Sequence, residues 1–207
     1  MDEQQQSLET LKDIKRMMER SSRFISLSGL SGISAGLCAL AGAWLAHRKI
    51  GHWSLDGSLY GRDSELGLII DLLLIAGFTF VAAFVSAFIF TYIRSRKNNT
   101  PVWGAATWRL MWNTMIPLAV GGVFMLRLLQ LGQYEMIAPG CLIFYGLALV
   151  NGSKYTLGEI RYLGYGQLVL GLINLWYIGW GLEMWAIGFG VLHIIYGVAM
   201  WLKYEKN

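Results

Sequence analysis

Charge is scarce in this sequence. Only 14% of its 207 residues are Asp, Glu, Lys or Arg, whereas 55% are hydrophobic. A soluble domain has roughly 25% charged residues, so the composition excludes an ordinary soluble fold. The net charge of +4 would suit nucleic acid, but the basic residues lie between apolar runs, where anionic lipid and the insertion machinery act on them. We therefore expect the lipid bilayer, and no nucleic acid, as the main surroundings of the chain.

Motifs that carry chemistry are also missing. The two cysteines, Cys38 and Cys141, both lie within apolar segments, which favours small packing residues over a disulfide or a metal pair. No HExxH, GxSxG, P-loop or dinucleotide fingerprint occurs. One histidine in mid-membrane, His193, cannot provide the two axial ligands of a haem or the several ligands of zinc. We predict no metal, no cofactor and no catalytic residue.

Long apolar stretches dominate what is present. A helix needs roughly 17–25 residues to span a bilayer, and six such stretches occupy most of the chain. The predicted spans are 24–46, 66–93, 109–131, 136–153, 161–181 and 184–202. The predicted fold class is therefore all-α: a polytopic membrane bundle of six transmembrane helices, forming a single domain over 24–207.

The segment before the first span, residues 1–23, is polar and mixed in charge. Leu8, Leu11, Ile14 and Met18 recur at helical spacing, which predicts a short amphipathic helix on the cytoplasmic side. This helix can lie on the inner leaflet, lead as a solvated helix into the first span, or contact a protein partner. The apolar run after it is long enough to span, so we expect no cleaved signal here.

Lysine and arginine are distributed very unevenly about the spans. Of 17 such residues, only Arg48, Lys49 and Arg62 fall in loops on one side, and Arg127 falls within a span. All the others lie in the N-terminal segment, the second and fourth loops and the tail. The positive-inside rule then places both termini in the cytoplasm.

Two pairs of polar side chains are predicted at membrane depth, where such groups are costly and are usually paired or functional. Asp71 in the second span and Arg127 in the third fall at similar depth, and we expect them to pair. Asn174 in the fifth span and His193 in the sixth fall near the middle of the bilayer and can satisfy each other. Each pair can serve a solute pathway or simply hold helices together.

Two local patterns concern helix packing and helix ends. Ser28, Gly32 and Gly36 are four residues apart and form a small ridge on the first span. Such a ridge lets another helix approach closely, either in a second subunit of a homo-oligomer or in the same chain. Before the fifth span, Thr156 with Glu159 three residues later predicts a capping box at the start of that helix.

A faint internal repeat links the last four spans. EMIAPG at 135–140 is echoed by EMWAIG at 183–188, and YGLA at 145–148 by YGVA at 196–199. The offset changes between the two echoes, so a small gap is needed. A duplicated hairpin, as in transporter folds, and chance similarity in a Gly-rich background both explain the matches.

Two stretches carry a resemblance to a group of proteins. RFISLSGLSG at 23–32 and NGSKYTLGEIRYLG at 151–164 give the chain a pattern that resembles uncharacterised six-span bacterial integral-membrane proteins. The resemblance covers most of the chain and implies a bacterial inner-membrane location. It implies no activity and no site residue.

Three functional hypotheses fit these observations. A small-solute or ion transporter or channel is suggested by the polar groups at depth, and should lose activity when Asn174 or His193 is replaced. A non-catalytic scaffold or regulator, binding a membrane or cytoplasmic partner, is suggested by the small ridge and the N-terminal helix. An intramembrane enzyme acting on lipid ranks last, because no nucleophile or metal set is recognisable.

Overall fold

The computed structural model describes residues 28–56, 62–98 and 103–206, and the described part consists of helices joined by short turns. Five helices are α1, Gly29–Asp56; α2, Arg62–Lys97; α3, Ala105–Gln130; α4, Ile137–Gly152; and α5, Ile160–Trp176. The sixth, α6, runs without a break through Gly181–Trp185, the π-helical segment Ala186–Leu192 and His193–Tyr204. The predicted all-α class with six helices is confirmed. The N-terminal segment 1–23 lies outside the described residues.

Five of these helices are long and apolar enough to cross a membrane. The stretch that qualifies at α4 is Tyr134–Gly152, which includes the 3₁₀ turn before the helix. The exception is α5, whose 17 residues span about 26 Å at the usual helical rise. The first helix ends at Asp56, ten residues beyond the predicted end of its span. Helical hydrogen bonds do not depend on apolar side chains, so a helix can continue past the last apolar residue into polar surroundings.

The helices pack as an extended row in which chain neighbours run antiparallel. Helix α1 lies between α2 and α6, and α4 contacts α3, α5 and the first part of α6. Helices α4 and α6 run in the same direction, because Leu142 approaches Gly188 and Tyr145 contacts His193 one turn further on. This order leaves α2 and α3, which are consecutive in the chain, packed mainly on α1 and α4 respectively.

The two outer helices are apolar and almost entirely exposed. The most apolar stretch of α2 has none of its residues buried and that of α3 has 6%, compared with 39% for α1 and for α4. Phenylalanines on α2 account for much of this exposed surface: Phe78, Phe80, Phe84 and Phe88. A helix that is apolar all round and has protein cover on one side only is the form that lipid solvates.

Helices α1 and α6 meet along a glycine seam formed by Gly29, Gly32, Gly36 and Gly197, where an added Cβ would meet the backbone of the other helix. A Cβ atom on Gly197 would lie 2.6 Å from the carbonyl oxygen of Gly29, and one on Gly36 would lie 2.7 Å from that of Gly190. Backbone therefore touches backbone, which only glycine permits at these positions. The small ridge predicted on the first span faces α6 of the same chain.

One end of the bundle is fastened by Glu205, which follows α6. Its carboxylate pairs with Arg94 near the end of α2. It also accepts hydrogen bonds from the Ser28 hydroxyl, at 3.2 Å, and from the backbone N–H of Gly29. A carboxylate at a helix N-terminus satisfies free N–H groups and the helix dipole together. The contact shows that α1 begins, and α2 and α6 end, at the same end of the bundle.

Glu159 joins α5 to α6 at this same end. The helix α5 begins at Ile160 with Glu159 in the N-cap position, and the Glu159 side chain makes no capping hydrogen bond. The carboxylate instead accepts hydrogen bonds from the Lys203 ammonium, at 2.5 Å, and the Tyr204 hydroxyl, at 2.8 Å. Helix α5 therefore begins later than the predicted capping box, Thr156 with Glu159, would place it. The Glu159 carboxylate is bonded to α6 instead, through charge-assisted bonds that are stronger than a bond to a backbone N–H. The hydrogen bond from Lys203 holds the pKa of Glu159 below its usual value.

The π-helical segment Ala186–Leu192 coincides with the gap in the predicted repeat. Five positions separate Gly140 from Tyr145 in α4, whereas eight separate Gly188 from Tyr196 in α6. A π-helix bonds residue i to i+5 and so takes more residues for each turn. The gap that the predicted repeat needs, whether the repeat is a duplication or chance similarity, thus falls in an irregular part of α6. Such segments are frequent at functional sites.

Candidate functional site in the polar core

Polar side chains from three helices meet inside the bundle, where α4, α5 and α6 pack together. We call this group the polar core: Tyr145 on α4, Gln167 and Asn174 on α5, and Gly188 and His193 on α6. Gln167 and Asn174 are both fully buried, and His193 is 7% exposed. Polar groups so deep in an apolar bundle are stabilised only through their hydrogen bonds.

The carbonyl oxygen of Gly188 lies at the centre of the polar core. It accepts a hydrogen bond from Gln167 Nε2 at 2.7 Å and another from His193 Nδ1 at 3.0 Å. Gly188 lies within the π-helical segment, and its missing side chain leaves room for Gln167 and Leu142 against the backbone. The π-helical segment is thus held to α5 through the backbone carbonyl of Gly188, which no side chain of its own covers.

These contacts determine the tautomer of the neutral His193 ring. A carbonyl oxygen can only accept, so the hydrogen must be on Nδ1 of the imidazole. In the neutral ring Nε2 is then an acceptor, and the Tyr145 hydroxyl, 2.8 Å away, donates to it. The resulting chain runs from Tyr145 through the imidazole to the Gly188 carbonyl and links α4 to α6.

Aromatic rings cover one side of this chain. Phe189 lies 4.9 Å from both Tyr145 and Trp185, measured between ring centroids, and 5.9 Å from the His193 ring. The Tyr145 and His193 rings are themselves stacked at 5.5 Å. The stacked rings keep the imidazole in one orientation and keep water away from that face.

Asn174 lies two helical turns from Gln167 on the same face of α5. Its Nδ2 donates to the carbonyl of Tyr177 at 2.9 Å, just where α5 has ended and the chain turns towards α6. This bond satisfies a carbonyl that the helix end leaves free. Asn174 does not bond His193, the partner expected from the sequence; each of the two side chains binds backbone near its own position instead.

Two acceptor atoms of the polar core are left over. Gln167 Oε1 and Asn174 Oδ1 are buried and have no hydrogen-bond partner among the described residues, and the Tyr196 hydroxyl on α6 is in the same condition. The amide orientations are fixed, because in each case the NH₂ group donates to a carbonyl oxygen. An unsatisfied buried acceptor costs roughly 1–3 kcal/mol, so these atoms suggest a ligand or water.

Asp71 and Arg127 are not brought together. Asp71 Oδ2 pairs with Lys49 Nζ on α1 at 2.8 Å, and Arg127 Nη1 donates to Gln130 Oε1 on its own helix at 3.3 Å. The reason is the order of the row: α2 packs on α1, and α3 packs on α4. The sequence predicted similar depth in the membrane for the two residues, and similar depth does not make two helices neighbours.

Gln167 and Tyr145 were not singled out from the sequence. Gln167 had a signal that could have been used, since it is an amide within an apolar span and lies seven residues, or two turns, before Asn174. Tyr145 had none, because a tyrosine in a membrane helix is compatible with lipid, packing or hydrogen bonding alike. The role of the Gly188 carbonyl could not be read from residue types at all.

Metal ligands are not gathered in the described residues: no three His, Cys, Asp or Glu side chains there lie close enough to hold an ion. Cys38 and Cys141 are both free and half-buried. His47 and His52 are exposed near the end of α1.

Comparison with known protein families, curated proteins and solved structures finds no match for this chain.

Proposed function

We propose that the chain is a multi-pass protein of a bacterial inner membrane, with both termini in the cytoplasm. The end fastened by Glu205 is the cytoplasmic end in this proposal. Arg94, Arg96, Lys97 and Lys203 lie there, as the positive-inside rule requires. The contact between Ser28 and Glu205 supports an even number of crossings, since it places the first and last helix ends together.

Cysteine labelling in intact cells tests this orientation. Cys38 and Cys141 are first replaced by alanine, and single cysteines are then placed at Gln133 and Lys206. We expect an impermeant thiol reagent to label position 133 in intact cells and position 206 only after permeabilisation. Labelling of position 206 from outside would contradict the proposed orientation.

We also propose that the protein carries a small polar solute across the membrane along the face of α5 that contains Gln167 and Asn174. The observation that supports this proposal best is the pair of fully buried, unpartnered amide oxygens on that face. A protein that only needed packing would place apolar or fully bonded side chains there. The adjoining π-helical segment adds a place where α6 can rearrange, because its backbone bonds are irregular.

A scaffold or regulatory role is the alternative. The glycine seam, which suggested a partner surface, is occupied by α6 of the same chain. The exposed apolar faces of α2 and α3 are covered sufficiently by lipid. The described residues therefore give the scaffold hypothesis less support than the transporter hypothesis, and the N-terminal segment on which it also rests lies outside them.

Flux through reconstituted vesicles distinguishes the two hypotheses. Purified protein is placed in liposomes, and the entry of water, urea, glycerol, potassium and chloride is followed by light scattering or ion-sensitive dyes. For a transporter, at least one solute enters several-fold faster than into protein-free vesicles. Replacing Asn174 by leucine, which has the same branched heavy-atom skeleton but no oxygen or nitrogen, should remove most of that excess.

The control for this experiment is Phe80→Leu on the exposed face of α2, where the side chain is 70% exposed. It should keep the parent flux. If folded parent protein moves none of the five solutes faster than empty vesicles, the transport proposal fails and the scaffold hypothesis replaces it.

A further inference from the structure

The unused hydrogen-bonding capacity on the buried face of α5 is of one kind. Both NH₂ groups are occupied, Gln167 by the Gly188 carbonyl and Asn174 by the Tyr177 carbonyl. Nδ1 of His193 also donates to Gly188, and Nε2 accepts from Tyr145. What remains on α5 are the amide oxygens Gln167 Oε1 and Asn174 Oδ1, which can only accept. A solute that satisfies them must bring hydrogen-bond donors.

The charge of such a solute is constrained by what surrounds these oxygens. The helices that form the polar core have no Asp, Glu, Lys or Arg over residues 137–152, 162–176 and 184–202. An isolated ion at this depth would be far from any opposite charge on these helices, and desolvating it would cost many times what neutral amide oxygens return. Acceptor oxygens in addition repel an anion.

We propose that the transported solute is a small, uncharged hydrogen-bond donor, of the class of water, urea or a short polyol, and that it donates to Gln167 Oε1 and Asn174 Oδ1 in turn. This inference rests on the transport function proposed above and names its substrate class. Ions of either sign are excluded by the same polar core.

The spacing of the two oxygens indicates successive binding positions. Seven residues of helix place Gln167 and Asn174 about 10 Å apart along α5, which is too far for one small molecule to reach both. Gly171 lies between them, close against Leu142 and Ile143 of α4. A solute therefore exchanges one acceptor for the other, and because α5 and α4 are in contact at Gly171, it passes only when these helices part there.

Selectivity of the parent protein gives the first test, which needs no variant. Reconstituted vesicles are compared for water, urea and glycerol on one side and for potassium, sodium and chloride on the other. We expect at least one neutral solute to enter five-fold or more above protein-free vesicles, and all three ions to stay within two-fold. If ions move and no neutral solute does, transport is supported but this inference is overturned. If nothing moves, the proposed function itself fails.

The second test fills the space beside one acceptor. In Gly188→Ala the new methyl group would lie 2.6 Å from Gln167 Oε1, so a solute could no longer approach that oxygen. We expect the neutral-solute flux to fall at least five-fold. Gly190→Ala is the matched control, because it adds the same methyl group to the same π-helical segment but faces Leu40 on α1.

Two outcomes of the second test are decisive. An equal loss in Gly188→Ala and Gly190→Ala would mean that the π-helical segment, and not the acceptor, is what matters, and would overturn the inference. If Gly188→Ala does not fold, Asn174→Leu replaces it, and its neutral-solute flux must then be lower than that of Gly179→Ala, which adds a methyl group where no atom lies within 4 Å. Equal fluxes would again overturn the inference.

Discussion

Helix α6 contacts its neighbours on its two sides through different kinds of interaction. Towards α1 it uses glycines, and backbone touches backbone along Gly29, Gly36 and Gly197. Towards α4 and α5 it uses polar side chains, which bond its backbone at Gly188 and its imidazole at His193. The glycine seam is close packed by backbone, whereas the polar core keeps unsatisfied acceptors.

The difference indicates that the glycine seam stabilises the fold, whereas the polar core is where hydrogen bonds can be exchanged. In lipid no hydrophobic force drives helices together, so close backbone contact is the main source of attraction. Such contact cannot be made and broken in small steps. Hydrogen bonds can be exchanged one at a time, for a solute or a water, at about 1 kcal/mol each. We therefore expect substitutions in the glycine seam to affect folding, and those in the polar core to affect flux more than folding.

The largest effect should come from Gly197→Leu in the glycine seam. The side chain would begin 2.6 Å from the Gly29 carbonyl oxygen and from the Ile33 backbone nitrogen, and neither can move without separating α1 from α6. We expect a loss of about 3 kcal/mol or more, at or above the upper range for overpacking, measured by thermal unfolding in detergent. The control is Gly122→Leu on α3, where no atom lies within 4 Å of the added Cβ, and it should be nearly neutral. Equal stability of the two variants would show that the glycine seam does not hold α1 to α6.

Glu205→Gln should have the next largest effect. The Glu205 and Arg94 side chains are 15% and 11% exposed, so removing the carboxylate leaves a mostly buried guanidinium without its counter-charge. Breaking a buried pair costs roughly 3–5 kcal/mol, and we expect about 2 kcal/mol here because some solvent remains. Adding Arg94→Gln to this variant should cost little more. Additive losses in the double variant would show that the two residues are not coupled.

Tyr145→Phe removes one hydrogen bond from the polar core and should cost about 1 kcal/mol. The control is Tyr165→Phe on the exposed side of α5, which should stay within about 0.5 kcal/mol of the parent. Nitrogen NMR of labelled His193, in a variant without His47 and His52, should show the proton on Nδ1 in the parent. A proton on Nε2 would contradict the proposed direction of the Tyr145 bond.

Asp71→Asn on the outer helix α2 should change stability by less than about 1 kcal/mol. Its partner Lys49 and Asp71 itself are 50% and 41% exposed, and exposed pairs contribute little. Exchanging Asp71 with Lys49 should restore the small loss, whereas exchanging it with Arg127 should not. Recovery by the Arg127 exchange would mean that α2 and α3 are neighbours after all.

The smallest effect should be the pH dependence from Glu159, whose side chain is 30% exposed and whose partner Lys203 is 58% exposed. Its pKa is lowered in the folded protein by the Lys203 hydrogen bond. The contribution of the Glu159 contact to the stability of the folded protein is therefore complete above the ordinary glutamate pKa. It is lost as the pH falls through the lowered pKa of Glu159 in the folded protein. We expect the Tm advantage of the parent over Glu159→Gln to shrink across that acidic interval. Lys203→Gln removes the same contact and should give the same profile; a constant Tm difference would exclude this linkage.

The sequence predicted the all-α class and the six helices of the described residues, and it singled out two of the five residues of the polar core, Asn174 and His193. Apolar runs of fixed length determine helices in lipid, since every backbone group must then be bonded within its own segment. Asn174 and His193 were identifiable because polar residues are conspicuous in such runs. Gln167 was visible by the same rule and was overlooked. The partners of all three were not visible, because two of those partners are backbone carbonyls.

The sequence by itself determined the six helices of the described residues and where the basic residues fall between them, because both depend on local composition. Only the tertiary structure decided which helices are neighbours. Helix α2 lies beside α1 and not beside α3, so Asp71 pairs with Lys49. The small ridge faces α6 and not a second subunit. In lipid the apolar faces of all helices are nearly equivalent, so neighbours are chosen by the fit of small residues and by a few hydrogen bonds, which depend on three-dimensional shape.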